Sequence, residues 1–255
     1  MKRLLKIVGV LLLLVVIGVA TLLMATFMGR ASVVDGQDFG GVRVIADGFS
    51  SLGIIPIDER QVVLIDAGND ASGAAILAEL TRRQLGPDAV STIFLTHGHA
   101  DHTGALALFP KAQVMALEAE VPLVEGTAGS RGPVTQLFPV RPTGVKVTKP
   151  LLDGDAVMIG DTTVRVYAVP GHTAGSAAYL VNGVLFLGDS ADVASDGSLI
   201  AAPWIFSDSQ AENRASLVRL EQRLVADGAS VLTMVPSHSG SVRGMDALAA
   251  FARQQ

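Results

Sequence analysis

Residues 96–102 read Thr96-His97-Gly98-His99-Ala100-Asp101-His102, and this heptapeptide decides the reading of the chain. The protein has 5 histidines, three of them inside it. At this chain's histidine and aspartate frequencies an H-x-H-x-D-H pattern arises by chance about once in ten thousand such sequences. Residues 90–96 form an apolar, β-prone run that ends where the histidines begin. Alternate residues of a strand point the same way, so His97 and His99 leave its tip on one side. Asp101 keeps that parity and His102 follows at a turn. Imidazoles and a carboxylate packed this densely are metal-ligand chemistry, and four such groups suit two adjacent metals better than one. Further ligands must then come from elsewhere in the chain.

They stand at three other strand ends. His172 lies in Val169-Pro170-Gly171-His172-Thr173, Asp189 in Leu185-Phe186-Leu187-Gly188-Asp189-Ser190, and His238 in Val235-Pro236-Ser237-His238-Ser239-Gly240. Each follows an apolar stretch that breaks into a loop of small residues, the place where sheet-based sites are built. All five histidines are thereby used. The chain has no cysteine, which excludes disulfides, thiolate ligands and a cysteine-linked lipid, and leaves nitrogen and oxygen to hold any metal.

This ordered set resembles the metallo-β-lactamase superfamily, over nearly all of the chain after residue 40. Val63-Leu64-Ile65-Asp66-Ala67-Gly68 resembles that family's first motif, the heptapeptide its second, and the His172, Asp189 and His238 segments the remaining three. The resemblance implies an α/β fold, a four-layer αβ/βα sandwich of two mixed sheets flanked by helices. It implies two zinc ions, with iron or manganese as other candidates. His97, His99 and His172 would hold one, Asp101, His102 and His238 the other, and Asp189 would bridge them. Asp66 would orient the site from behind, and Asp101 would orient the reacting water or carry its proton. One departure is Pro-Ser-His-Ser at 236–239, where many members have Pro-Gly-His-Gly; it touches the loop's shape and keeps the ligand.

Working outward, short strands are expected at 42–46, 52–57 and 61–66, and a helix over 70–85 that stops at Gly86-Pro87. Residues 113–117 read as a strand, and 123–142, rich in Gly, Pro and Thr, as a long loop. Strands follow at 145–148, 156–159 and 162–169. Asn182-Gly183 joins 177–181 to 184–187 as a hairpin. A helix over 209–226, a strand at 231–235 and a helix over 245–253 complete the pattern. Hairpins interrupt the alternation of strands and helices, so a layered α/β sandwich fits better than a doubly wound sheet. Tyr179 reads as packing, whereas Trp204 and Phe206 fit equally well as core or as cover for the metal cleft.

Residues 7–28 carry no charge, and a helix of that length spans a hydrocarbon core of roughly 30 Å. Lys2, Arg3 and Lys6 precede it, which predicts a cytoplasmic N-terminus and a domain outside. The expected organisation is an anchor over 1–30, a linker over 31–41 and one catalytic domain over 42–255. A signal peptide cut after Gly18-Val19-Ala20 is the competing reading, but signal cores usually run about 7–15 residues. Without Lys2, Arg3 and Lys6, 16 basic residues face 24 acidic ones, a balance of −8 that makes nucleic acid an unsuitable partner. A small molecule is the expected partner besides the membrane, with no residues assigned to bind it.

Members of the family cleave β-lactams, thioesters, lactones and sulfate or phosphate esters, and fold alone does not choose among them. Members with β-lactamase activity generally lack an aspartate at the bridging position, which Asp189 fills here. Nuclease members carry basic arms, whereas this chain is acidic. The diiron electron-transfer members have Glu where His99 stands. Hydroxyacylglutathione hydrolases carry a helical C-terminal domain, and little chain follows His238 here. The reading is a hydrolase of a small ester, lactone or thioester outside the cytoplasm. A mononuclear iron dioxygenase, a β-lactamase and a non-catalytic metal-binding module are the alternatives.

Overall fold

The computed structural model describes residues 2–255. Lys2–Phe27 form a helix (α1), which with the residues to Arg30 makes one compact unit; Ala31–Gln255 make the other. Lys6–Phe27, 22 residues with mean hydropathy 3.1 and no part of the apolar window buried, are long and apolar enough to cross a bilayer.

In the second unit Gln37–Phe39 (β1), inside the stretch 31–41 expected to be a linker, pairs antiparallel with Val42–Asp47 (β2). Ser50–Pro56 (β3) and Val62–Ile65 (β4) continue the antiparallel run. Helix Ala74–Arg82 (α2) then leads to Val90–Phe94 (β5), parallel to β4. The short turns Ala100–Thr103 (α3) and Val121–Val124 (α4) flank Gln113–Leu117 (β6), and Lys149–Leu151 (β7) closes a seven-stranded mixed sheet in chain order. Ala156–Ile159 (β8), Thr162–Ala168 (β9), Ala177–Val181 (β10) and Val184–Gly188 (β11) form an antiparallel meander. The little hairpin Ala191–Val193 (β12) and Leu199–Ala201 (β13) precedes helix Gln210–Ala226 (α5). Thr233–Pro236 (β14) then adds parallel to β11, and Val242–Arg243 (β15) caps this six-stranded sheet before helix Asp246–Ala252 (α6).

Alternation explains the layers. In β4, Val63 and Ile65 enter the core between the two sheets, while Val62 and Leu64 pack with Ile76 and Leu80 of α2. In β10, Tyr179 and Val181 face the same inter-sheet core; Ala178 and Leu180 pack with Leu217, Leu220 and Leu224 of α5. Both faces of each sheet are covered, so the central strands are continuous apolar runs. Helix, sheet, sheet and helix make the expected four-layer sandwich. Asn182 (φ 50°) and Gly183 (φ 80°) make the expected hairpin turn.

The departures are local. α2 begins at Ala74, because the Asp70 carboxylate bonds the Ser72 amide (2.9 Å) and hydroxyl, holding 70–72 in a turn. Residues 145–148 are not a strand. The Val147 amide donates to the Glu125 carboxylate (3.2 Å), and β7 starts at Lys149, opposite Met115. The strand expected at 231–235 lies at 233–236, after an exposed Leu232.

Candidate metal centre

β9 and β11 are both antiparallel to β10, and β14 is parallel to β11, so three strands of one sheet end at the same edge. The end of β5 joins them from the other sheet, tied across by the Ala177 amide on the Thr96 carbonyl (2.8 Å) and the Ser51 amide on the Ser237 carbonyl (2.8 Å). His97 to His102 follow β5, His172 follows β9, Asp189 follows β11 and His238 follows β14.

The seven residues form two groups sharing Asp189, the ligand atoms of each group lying within 4.8 Å of one another. In the first, His99 Nδ1 stands 3.0 Å from both His97 Nε2 and His172 Nε2, and Asp189 Oδ2 lies 3.5 Å from His172 Nε2. In the second, Asp189 lies 3.1 Å from His102 Nε2 and 3.0 Å from His238 Nε2, with Asp101 Oδ2 3.1 Å from His238 Nε2.

The far side of four imidazoles is fixed by a partner. Asp66, 2% exposed and held at φ 64°, accepts from the Thr96 amide (2.7 Å), the Thr96 hydroxyl (2.8 Å) and His102 Nδ1 (2.8 Å). Aspartate adopts this left-handed backbone more readily than most residues. Thr96 Oγ1, having given its proton to Asp66, is left to accept from His97 Nδ1 at 3.2 Å. His238 Nδ1 donates to the Phe49 carbonyl (3.0 Å), and the Phe49 ring stacks on that imidazole at 5.5 Å. His172 Nδ1 meets Ser207 Oγ at 3.2 Å, whose own proton goes to the Pro203 carbonyl (2.8 Å). Each bond turns an Nε2 inward, where it can ligate a metal once it carries no proton.

Those inward nitrogens test the fit to a metal. His97 Nε2 and His172 Nε2 both converge on one His99 nitrogen, which has a single proton at most. His102 Nε2 and Asp189 Oδ1 are buried and make no hydrogen bond among the described residues, yet stand 3.1 Å apart. Crowded out of water, these groups need positive charge among them, which a metal would supply and which, without one, protons on His102 and His238 supply. An all-nitrogen-and-oxygen donor set of this kind suits zinc, iron or manganese.

The electrostatics of the metal-free groups differ. Burial pushes His97 well below its ordinary pKa, His99 down, and His172 down to about 3. Burial also opposes charge on His102 and His238, but Asp189 and its neighbouring carboxylates outweigh it, holding His102 well above the usual value and His238 at about 10. Asp189 is resisted by burial and held well below the carboxylate range by His238 and His102.

Every expected ligand is thus brought into the site, with Asp66 behind it. Tyr179 is packing: fully buried, it donates to the Leu95 carbonyl (2.8 Å). Trp204 is not core, being 54% exposed on the turn that leads to Ser207, and Phe206 is half-buried. Sequence reasoning missed Ser207, Phe49 and Glu120. The last, 1% exposed, has its carboxyl pushed up to about 7 by burial, against hydrogen bonds from Gly98, Thr173 and Gly175 that favour the charge.

Sandwich and site together define a class, and the chain belongs to it: the metallo-beta-lactamase superfamily model matches residues 47–232. Among curated relatives, a hydroxyacylglutathione hydrolase of Shewanella sp. (strain ANA-3) is 31% identical over 142 residues, 56% of this chain and 48% of that protein. Metallo-beta-lactamase domain-containing protein 1 of Mus musculus is 31% identical over 113 residues, 44% of this chain and 36% of its own. The chain therefore spans about half, or less, of these relatives' length. Among solved structures, the subclass B3 metallo-beta-lactamase BJP-1 of Bradyrhizobium japonicum matches with TM-score 0.63 and 20% identity, covering 91% of this chain and 93% of that one. The metallo-beta-lactamase MIM-1 of Novosphingobium pentaromativorans matches with TM-score 0.64 and 23% identity, covering 89% and 88%. At such identities the likeness is one of fold.

Proposed function

We propose that this protein is a dinuclear zinc hydrolase acting on a small carboxylic ester, lactone or thioester, held at a membrane by residues 7–28 with its catalytic domain outside the cytoplasm. The observation that carries the reading is the pair of ligand groups joined through Asp189, His97 with His99 and His172 on one side, Asp101 with His102 and His238 on the other. When bound there, a metal pair supplies Lewis acidity and a water acidic enough to act as nucleophile at neutral pH.

The chain's own residues do the rest. Asp66, Thr96, Ser207 and the Phe49 carbonyl orient four imidazoles, so the polar face is preorganised before substrate arrives. Asp101 is the more open of the two carboxylates, its side chain 21% exposed against 8% for Asp189. It faces the substrate and moves the proton from the attacking water to the leaving group. The relatives named hydroxyacylglutathione hydrolase support the hydrolase reading and put thioesters beside esters and lactones in the test panel.

The test is elemental analysis of the full chain, purified in detergent without added metal, with a panel of ester, lactone, thioester and β-lactam substrates. About two zincs per chain and turnover of an ester, lactone or thioester is the expected result. One iron per chain with no hydrolysis would overturn it in favour of oxidative chemistry, and turnover of lactams alone would move the substrate class.

A further inference from the structure

Glu120 ends a short 3-10 turn, Glu118–Glu120, that runs straight into α4. Its carboxylate is 1% exposed and meets no cation among the described residues. Oε1 accepts from the Gly98 amide at 2.7 Å, and Gly98 sits between His97 and His99. Oε2 accepts from the Thr173 hydroxyl at 2.9 Å and the Gly175 amide at 2.8 Å, on the loop that follows His172. The same short segment presses on both loops where each has a glycine. A Cβ on Gly98 would stand 2.8 Å from the Val124 amide nitrogen, and one on Gly175 would run into the Glu120 backbone.

A buried carboxylate without a cation is costly, and its donors here come from two separate loops that are otherwise joined at their strand ends, by the Ala177 amide on the Thr96 carbonyl. Those loops carry His97, His99 and His172. The loops of His238 and the shared Asp189 make no bond to it, and His102 is oriented by Asp66.

We propose that Glu120 is a positioning residue for one half of the metal centre: its two oxygens set the separation of the Gly98 and Thr173–Gly175 loops, and so of the three-histidine group. The inference rests on the metal-centre reading above and concerns metal affinity, so it stands apart from the identity of the substrate. Glutamine at 120 keeps the size but offers one acceptor oxygen for two loops, and its amide nitrogen, a donor, faces another donor. Changing a group that orients ligands from behind typically costs 10–100-fold in metal affinity.

The test is cobalt(II) titration of the metal-stripped full chain in detergent, following the visible d–d absorption, with the thermal midpoint measured alongside. Wild type takes up two equivalents. In Glu120→Gln one equivalent weakens by about 10–100-fold with an altered absorption band, while the other is unchanged. Thr173→Val, which keeps the shape but removes the donor to Glu120 and the acceptor of the Ser176 hydroxyl, weakens the same equivalent by less. A lowered thermal midpoint with both equivalents and both bands at wild-type values would show a merely structural clasp and overturn the proposal. If Glu120→Gln does not fold, Thr173→Val decides: an unchanged equivalent overturns it, a weakened one supports it. A wild type that binds no cobalt would overturn the metal-centre reading itself, and this inference with it.

Discussion

The two halves of the metal centre are built on opposite electrostatic plans. His97 and His172 are buried and His99 half-buried, and loss of solvent holds all three below their ordinary pKa. Asp101, His102 and His238 form, with Asp189, a compact set of ion pairs in which protons stand where a cation belongs. A metal entering the first group meets ready lone pairs, whereas one entering the second must expel protons. On the dinuclear reading proposed above, the same seven residues would form two sites that differ in how firmly they keep a metal and in how they answer to pH.

The sharpest way to break this comparison is to remove what the halves share. Asp189→Ala takes a ligand from both, so both metals should be weakened and turnover should fall by on the order of a thousandfold or more. Retention of one tight equivalent with substantial activity would show that Asp189 does not join them. Asp101→Ala should strike one half alone: one metal equivalent lost, the three-histidine equivalent kept, and activity down by about a hundredfold or more. Loss of both metals would mean that the halves are not separable.

The pH dependence sharpens the contrast. His238 is held at about 10 and His102 well above its ordinary value, so at neutral pH both carry protons that a metal must displace. Affinity for that equivalent should rise with pH, about tenfold per unit for each proton released, from neutrality up to about 10. The three-histidine equivalent has its groups pushed below their usual values and already deprotonated at pH 7, so its affinity should be flat over the same range. Calorimetric titrations in buffers of different ionisation enthalpy read the released protons; equal release at both equivalents would refute the distinction. The smallest effect belongs to Ser207→Ala. His172 loses its hydroxyl partner, and affinity at the three-histidine group should drop about tenfold, the low end for such orienting groups. An unchanged affinity would show that packing alone orients the ring.

Much of this was legible in the order of residues. The heptapeptide could be read because its ligands are neighbours in the chain, and His172, Asp189 and His238 because each follows an apolar run that must end a strand. The sandwich was legible in runs such as Val62-Val63-Leu64-Ile65, apolar on both faces, and in Asn182-Gly183. The strand misplaced at 145–148 failed because alternating residues there are satisfied by Glu125, 22 positions away, which no local pattern reveals. Ser207 and Glu120 escaped for the same reason. One meets its imidazole across 35 positions; the other takes backbone amides from two loops. A side chain whose partners are distant peptide groups leaves no spacing to recognise.

The segment between β6 and β7 holds none of the seven ligands, yet its near end is pinned beside one of them. Asp208, whose amide donates to the His172 carbonyl, takes the Ser130 hydroxyl at 3.0 Å and the Arg131 amide, while Thr143 donates to the Val124 carbonyl at 2.8 Å. Between those fixed ends, Leu137, Phe138 and Val140 stand exposed. Upstream of these three the Val134 amide donates to the Ile205 carbonyl (2.9 Å) and Gly132 packs on Phe206, so it is only the exposed tip, residues 136–140, that can be recoded while the ties to the His172 loop stay unbroken. Sequence can vary at that tip at little cost to the frame that holds the seven clustered side chains, as is usual for an exposed loop on a packed scaffold.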